Sequence, residues 1–277
     1  QCDAVPTAAT LTATDNCGTA AVTFAESIAQ GACPGAYTIT RTWTATDACN
    51  NVTTHVQTIT VQDTTAPTFV EALPTDSTVQ CDAVPTAATL TATDNCGEAN
   101  VTFEEAIAQG SCPGAYTITR TWTATDACNN VTAHIQTITV QDTTVPVITT
   151  QASSIVVECD GSGNQGAVQA WLASNGGAVA TDNCSDVTWS NDFDALSNDC
   201  SAAITVIFTA TDACGNTASS SATFTVQDIT APITPEAPAA LTLACASEVP
   251  AAVSLTATDN CAGEITTSGV DTIAAGQ

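Results

Sequence analysis

Lysine and methionine are both absent from these 277 residues. Without lysine, Schiff-base catalysis, a phosphate-loop lysine and lysine-to-asparagine isopeptide cross-links are all excluded. Positive charge is scarce: Arg41 and Arg120 stand against 28 acidic residues, for a formal net charge of −26. Nucleic acid and membrane insertion are therefore not expected, because basic surfaces bind the first and long apolar runs, which this chain lacks, make the second. Aromatic residues are only 4% of the chain. Cys-x-x-Cys pairs are missing and there are just two histidines, which removes the common zinc sites. No Gly-x-Ser-x-Gly elbow, glycine-rich phosphate loop or His-Glu-x-x-His helix occurs, and the expectation is that the chain is not an enzyme.

What the chain has is cysteine in a repeating frame. Cys2, Cys17, Cys33 and Cys49 recur 79 residues on as Cys81, Cys96, Cys112 and Cys128. A looser copy follows at Cys159, Cys184, Cys200 and Cys214, and a fourth begins at Cys245 and Cys261. This is a tandem array of one small module. An even count of 14 cysteines at regular spacing reads as disulfides made in an oxidising compartment, so the expected location is secreted or at the cell surface. A module of this size buries a modest core, for which disulfides worth roughly 2 to 4 kcal/mol each would compensate.

Each repeat closes on one phrase: Val61-Gln-Asp63-Thr-Thr-Ala-Pro67, Val140-Gln-Asp142-Thr-Thr-Val-Pro146 and Val226-Gln-Asp228-Ile-Thr-Ala-Pro232. Proline stops a ladder, so boundaries are placed there, giving modules 1–65, 66–144, 145–230 and a partial 231–277. The first lacks a counterpart of Pro67 to Gln80, hence its first strand, and the fourth stops before a third cysteine. The expectation is a window of a longer polypeptide. In Tyr37-Thr-Ile39-Thr-Arg41-Thr-Trp43-Thr-Ala45-Thr-Asp47 one face is all threonine, which predicts a half-buried strand. Further strands are expected at Thr89 to Thr93, Asn100 to Glu105 and Val131 to Val140. The fold class that follows is all-β, a tandem array of β-sandwich modules stapled by disulfides. Ala167 to Ser174 is the exception, a short helix ended by Gly176 and Gly177. Arg41 and Arg120 fall on the core-facing stripe, where an arginine packs its stem along the sheet and pairs its head with an acid.

The run Tyr-x-Ile-x-Arg-x-Trp-x-Ala-x-Asp, with a following strand ending Val-Gln-Asp-Thr-Thr-Ala-Pro, resembles the hyalin repeat, an immunoglobulin-like extracellular module associated with adhesion. Asp212-Ala-Cys214-Gly215-Asn216 matches its Asp-x-x-Gly-Asn turn, whereas repeats 1 and 2 carry Asn50 or Asn129 in place of the glycine. The four-cysteine form is similar to repeats of giant surface proteins of Bacteroidetes-type bacteria. The Asp-Thr-Thr-Ala-Pro junction is similar to linkers in calcium-stiffened adhesins.

In an immunoglobulin-like module the chain enters at one pole, where the second and penultimate strands both end. That logic gathers Asp63, Asp94 and Asp126 at one junction, Asp142, Asp182 and Asp212 at the next, and Asp228 with Asp259 at a third, with Asp15 and Asp47 their counterparts in repeat 1. The cofactor expected is calcium, with Asn95 and Asn183 among its oxygen ligands. The plain alternative is that these aspartates cap turns. The poles also predict disulfides within each module, first to third and second to fourth: Cys2–Cys33 and Cys17–Cys49, Cys81–Cys112 and Cys96–Cys128, Cys159–Cys200 and Cys184–Cys214.

The function expected is structural: a stretch of a cell-surface adhesin stalk or extracellular filament stiffened by disulfides and junctional calcium. Its partners would be neighbouring repeats or copies of the same protein in a fibre, with a host, surface or glycan ligand at a tip outside this sequence. The alternative is a glycan-binding module, for which Trp171, with Trp189 nearby, is the candidate platform. A buried Trp171 removes that alternative's main support.

Overall fold

The computed structural model describes residues 1–196, 201–270 and 272 of the chain. They form two compact units, Gln1–Gln141 and Asp142–Gln277. The first holds β1 (Ala21–Gln30), β2 (Tyr37–Thr46), β3 (Val52–Val61), β4 (Thr68–Phe69), β5 (Ser77–Gln80), β6 (Ala92–Thr93), β7 (Ala99–Gln109), β8 (Tyr116–Asp126) and β9 (Val131–Gln141). The second holds β10 (Val147–Thr150), β11 (Ile155–Glu158), α1 (Gln165–Ala173), β12 (Val179–Thr181), β13 (Thr188–Asn191), β14 (Ala203–Thr211), β15 (Thr217–Gln227), β16 (Leu255–Asp259) and β17 (Gly263–Thr267). The chain is a tandem array of immunoglobulin-like β-sandwich modules.

The same sheet recurs along the chain. Module 2 orders it β5-β9-β8-β7 and module 3 orders it β11-β15-β14-β13, with β5 and β11 joining in parallel and the rest antiparallel. Module 1 has the three-stranded equivalent β1-β2-β3. Threonine alternation does what period two demands: along β8, Ile118, Arg120, Trp122 and Ala124 are buried while the threonines between them are half-buried.

Cross-strand rows explain how so few aromatics suffice. Trp122 lies between Phe103 and His134 in register, with ring centroids 5.2 and 6.0 Å away, and Trp43 repeats this between Phe24 and His55. The next row is polar: Glu105, Arg120 and Gln136 stand side by side. The Arg120 guanidinium donates through Nε to Glu105 at 2.8 Å and through Nη2 to the Pro85 carbonyl at 2.8 Å. Trp122 Nε1 donates to the Ala88 carbonyl at 3.0 Å. Arg41 and Trp43 make the same bonds to Glu26, Pro6 and Ala9. The facing layer here is largely extended chain, not a ladder, so its carbonyls are satisfied by side chains of the sheet.

Module 3 solves the same problem differently. Val206 and Phe208 stand where the other modules have arginine and tryptophan, and helix α1 covers them in place of extended chain. A helix satisfies its own backbone, so no buried arginine is needed. Trp171 packs edge-on against Phe208 at 5.1 Å and against Phe224 at 5.5 Å. The helix ends before Gly176, which takes a positive φ of 64° and lies so close to Phe208 that a Cβ would sit 2.9 Å from its ring.

The disulfides differ from the expected pairing. Cys2 bonds Cys96 and Cys33 bonds Cys128, each linking module 1 to module 2, and Cys159 bonds Cys261, linking module 3 to module 4. Cys81, Cys112, Cys184 and Cys214 are disulfide-bonded too, whereas Cys17, Cys49 and Cys245 are free and exposed. Thus Cys2–Cys33, Cys17–Cys49, Cys96–Cys128 and the partners expected for Cys159 are corrected. Cys200 lies outside the described residues. The physical reason is proximity: the end of module 1 that carries Cys2 and Cys33 abuts the end of module 2 that carries Cys96 and Cys128, with Cα separations of 5.6 and 5.2 Å.

Candidate functional site

Where module 1 meets module 2, three segments converge. Asp63 arrives with the closing phrase, Asp94 follows β6, and Asp126 ends β8. Ligand-capable atoms of Asp63, Asp94 and Cys96 all lie within 4.8 Å of one another. Cys96 is bonded to Cys2 and offers no thiolate, so the donors are carboxylate oxygens. Gly35, two residues past Cys33, closes the cluster: a Cβ there would stand 2.7 Å from the Asp63 Cβ and 3.1 Å from the Cys96 Cβ.

Each aspartate also caps its own turn. Asp63 Oδ1 accepts from the Thr65 amide at 3.2 Å, and Asp94 Oδ2 accepts from the Cys96 amide at 2.6 Å. The second oxygen of Asp94 is left over: Oδ1 is buried with no hydrogen-bond partner. Asp126 is 6% exposed, and burial pushes its carboxyl up in pKa. Bonds donated by the Asn130 side chain and amide and by the Cys128 amide outweigh that and hold it below the ordinary 3.8. Asn130 Nδ2 also reaches the Asp63 carbonyl at 3.3 Å, tying the incoming phrase to the turn.

At the head of module 3 the arrangement repeats. Asp142, Asp182 and Cys184 form the second such group. Asp182 caps the Cys184 amide with Oδ1 at 2.8 Å, and its Oδ2 is buried without a partner. Asp212 accepts from the Cys214 and Asn216 amides at 2.8 and 2.9 Å, and Asn216 Nδ2 reaches the Asp142 carbonyl at 3.3 Å. Burial raises the Asp212 pKa, and the Asn216 bonds more than reverse it.

Asp228 and Asp259 each cap a local turn, and among the described residues no third group gathers around them. Glu158 takes the central place there instead, accepting from Thr230 Oγ1 at 2.8 Å and from Asn260 Nδ2 at 3.2 Å. Asp15 and Asp47 line one cleft with Cys17, Cys49 and Asn51. Asn95 and Asn183 are exposed turn residues. The residues that sequence reasoning missed are Asn130 and Asn216. Their signal was the i+4 spacing after the turn aspartate, repeated as Asp47 to Asn51. Asn50 and Asn129 take φ values of 65° and 66° where Gly215 takes 91°, so glycine and asparagine interchange because both tolerate the left-handed turn.

Trp171 is only 6% exposed and its Nε1 donates to the Ser153 carbonyl at 3.1 Å. Its ring is core, and no sugar can stack on it. His134 caps the Pro74 carbonyl at 2.8 Å. Arg41 and Arg120 are engaged with Glu26 and Glu105, so neither is available to neutralise the aspartate clusters.

Residues 2–61 and 69–140 match the family model of the HYR-like domain with 4 cysteines. No curated protein matches the chain. Among solved structures, the chain is similar to a protocadherin gammaB7 EC3-6 cis-dimer at 15% identity, covering 87% of this chain and 77% of that one, with a TM-score of 0.30. Drosophila N-cadherin EC1-4 is similar at 14% identity, with 87% and 77% covered and a TM-score of 0.26. Mouse cadherin-23 EC22-24 is similar at 13%, with 70% and 75% covered and a TM-score of 0.26. At such scores these structures carry no argument about this chain. No described helix of the chain is long and apolar enough to cross a membrane.

Proposed function

We propose that this chain is a stretch of an extracellular, cell-surface stalk or filament of adhesin type, whose modules are held end to end by disulfides and by calcium bound at the aspartate clusters. The observation that carries this reading is the pair of clusters headed by Asp63 and Asp142, each with a buried carboxylate oxygen left without a partner, on Asp94 in one and Asp182 in the other. Two unit negative charges about 4 Å apart repel by roughly 4 kcal/mol at an effective dielectric of about 20. A hard divalent cation removes that repulsion and takes the free oxygens as ligands. All-oxygen donors on loops suit calcium better than magnesium, which demands octahedral geometry. Asp63, Asp94 and Asp126 would hold one ion and Asp142, Asp182 and Asp212 another. Neighbouring repeats, and copies of the protein in a fibre, are the partners that this reading requires.

Calorimetric titration with calcium, alongside thermal unfolding in calcium and in chelator, tests it. Calcium at about 100 times its dissociation constant stabilises a one-site protein by roughly 2.7 kcal/mol, a shift of several degrees in melting temperature. Asp94→Asn keeps an acceptor for the Cys96 amide but removes a ligand charge, so it loses one binding event without unfolding. No heat of binding and coincident melting curves would sink the proposal.

A further inference from the structure

We infer that the Cys17 and Cys49 face of module 1 is a covalent socket for the trailing end of another four-cysteine module, whose first cysteine bonds Cys17 and whose third bonds Cys49. The argument is the comparison of two copies of one surface within unit 1. In module 2 the equivalent cysteines, Cys96 and Cys128, are bonded to Cys2 and Cys33, the first and third cysteines of the module before. The Cys159–Cys261 bond follows the same rule for first and second cysteines. In module 1 the same two positions are exposed thiols, and they line one cleft together with Asp15, Asp47 and Asn51.

The socket is already built. Asp47 Oδ1 accepts from the Cys49 and Asn51 amides at 2.8 Å each, and Asp47 Oδ2 from Asn51 Nδ2 at 2.7 Å. Asp126 holds Cys128 and Asn130 at 2.8, 2.9 and 2.7 Å. Asp15 caps the Cys17 amide at 2.8 Å, as Asp94 caps that of Cys96. What differs is the cover. Over module 2 lie Cys2, Cys33, Gly35 and Asp63, and they leave Cys96 and Cys128 half-buried. Although Cys17 and Cys49 share a cleft, they are not bonded to each other.

The occupant is thereby specified: a module presenting a Cys-Asp-x-Val-Pro first cysteine, as at Cys2 and Cys81, and a Cys-Pro-Gly third cysteine, as at Cys33 and Cys112. The glycine is required because a side chain there would strike the linker aspartate and the acceptor cysteine, as it would at Gly35. Each bond forms as two thiols give up two protons and two electrons to a disulfide oxidant such as oxidised glutathione, whose own S–S bond breaks to leave two thiols. The inference does not depend on calcium.

Protein from its source, alkylated with iodoacetamide before any reductant and digested with pepsin at low pH, provides the test. Mass spectrometry is expected to find Cys17 and Cys49 unalkylated and linked to Cys-Asp-x-Val-Pro and Cys-Pro-Gly peptides respectively. Intact mass before and after reduction then tells a module of the same polypeptide, with no loss of mass, from one on a second copy. In the isolated 277-residue chain the same two cysteines alkylate without reduction. A Cys17–Cys49 linkage in either sample, or alkylated Cys17 and Cys49 in the source material, overturns the inference.

Discussion

Replacing Cys33 with serine removes one bond, and the pairing decides which module feels it. With Cys33 bonded to Cys128 and Cys2 to Cys96, either module that opens does so with its segment pinned to the neighbour at both ends. That segment is about 31 residues (2 to 33) in module 1 and about 32 (96 to 128) in module 2. The loop-entropy relation gives about 3.7 kcal/mol for a closed loop of this length. Cys33→Ser should therefore raise the opening equilibrium of both modules by roughly 500-fold, at about 1.4 kcal/mol per factor of ten. Hydrogen exchange with mass spectrometry reads them separately, through the amides of β2 in module 1 and β8 in module 2. Both should lose protection to a similar degree. Loss confined to β2, with β8 unchanged, would refute the inter-module linkage, because a Cys2–Cys33 bond acts on module 1 alone.

Four further outcomes follow from the geometry. Arg120→Ala strands the Pro85 carbonyl and Glu105, and should cost about 2 kcal/mol in urea unfolding; Arg120→Met, which keeps the packed stem, should cost less. Trp171→Ala empties the centre of the module 3 core and should cost about 3–5 kcal/mol by the same measurement. Gly35→Ala drives a methyl into Asp63 and Cys96, and should lower both the melting temperature and the calcium affinity in titration. Asp126 and Asp212 have folded pKa values below the ordinary 3.8, so their contribution is complete above that pH and is lost as pH falls through the lower folded values. Melting temperature in chelator should hold from pH 7 to near 4 and drop below it, with a shallower drop in Asp126→Asn.

The amino-acid sequence by itself determined the repeat, the alternating strands and the helix that follows Asn164. Those features are local: period two, a proline-bearing closing phrase, and an apolar stretch followed by Gly176 and Gly177. The place of Arg41 and Arg120 in the core was legible for the same reason, since the stripe carrying Ile39 and Trp43 also carries Arg41. The meeting of Asp63 with Asp94 and of Asp142 with Asp182 was legible from the poles at which strands end, whereas Asp228 and Asp259 form no such group among the described residues. Only the tertiary structure decided what each cysteine touches. Spacing assigns Cys2 and Cys33 to one end of a module and Cys96 and Cys128 to an end of the next, but it does not say that those ends abut, and a disulfide requires Cα atoms within about 6 Å and Cβ atoms that face each other. Burial of Trp171 was likewise decided in three dimensions, by Phe208 and Phe224 arriving from distant strands to close over its ring.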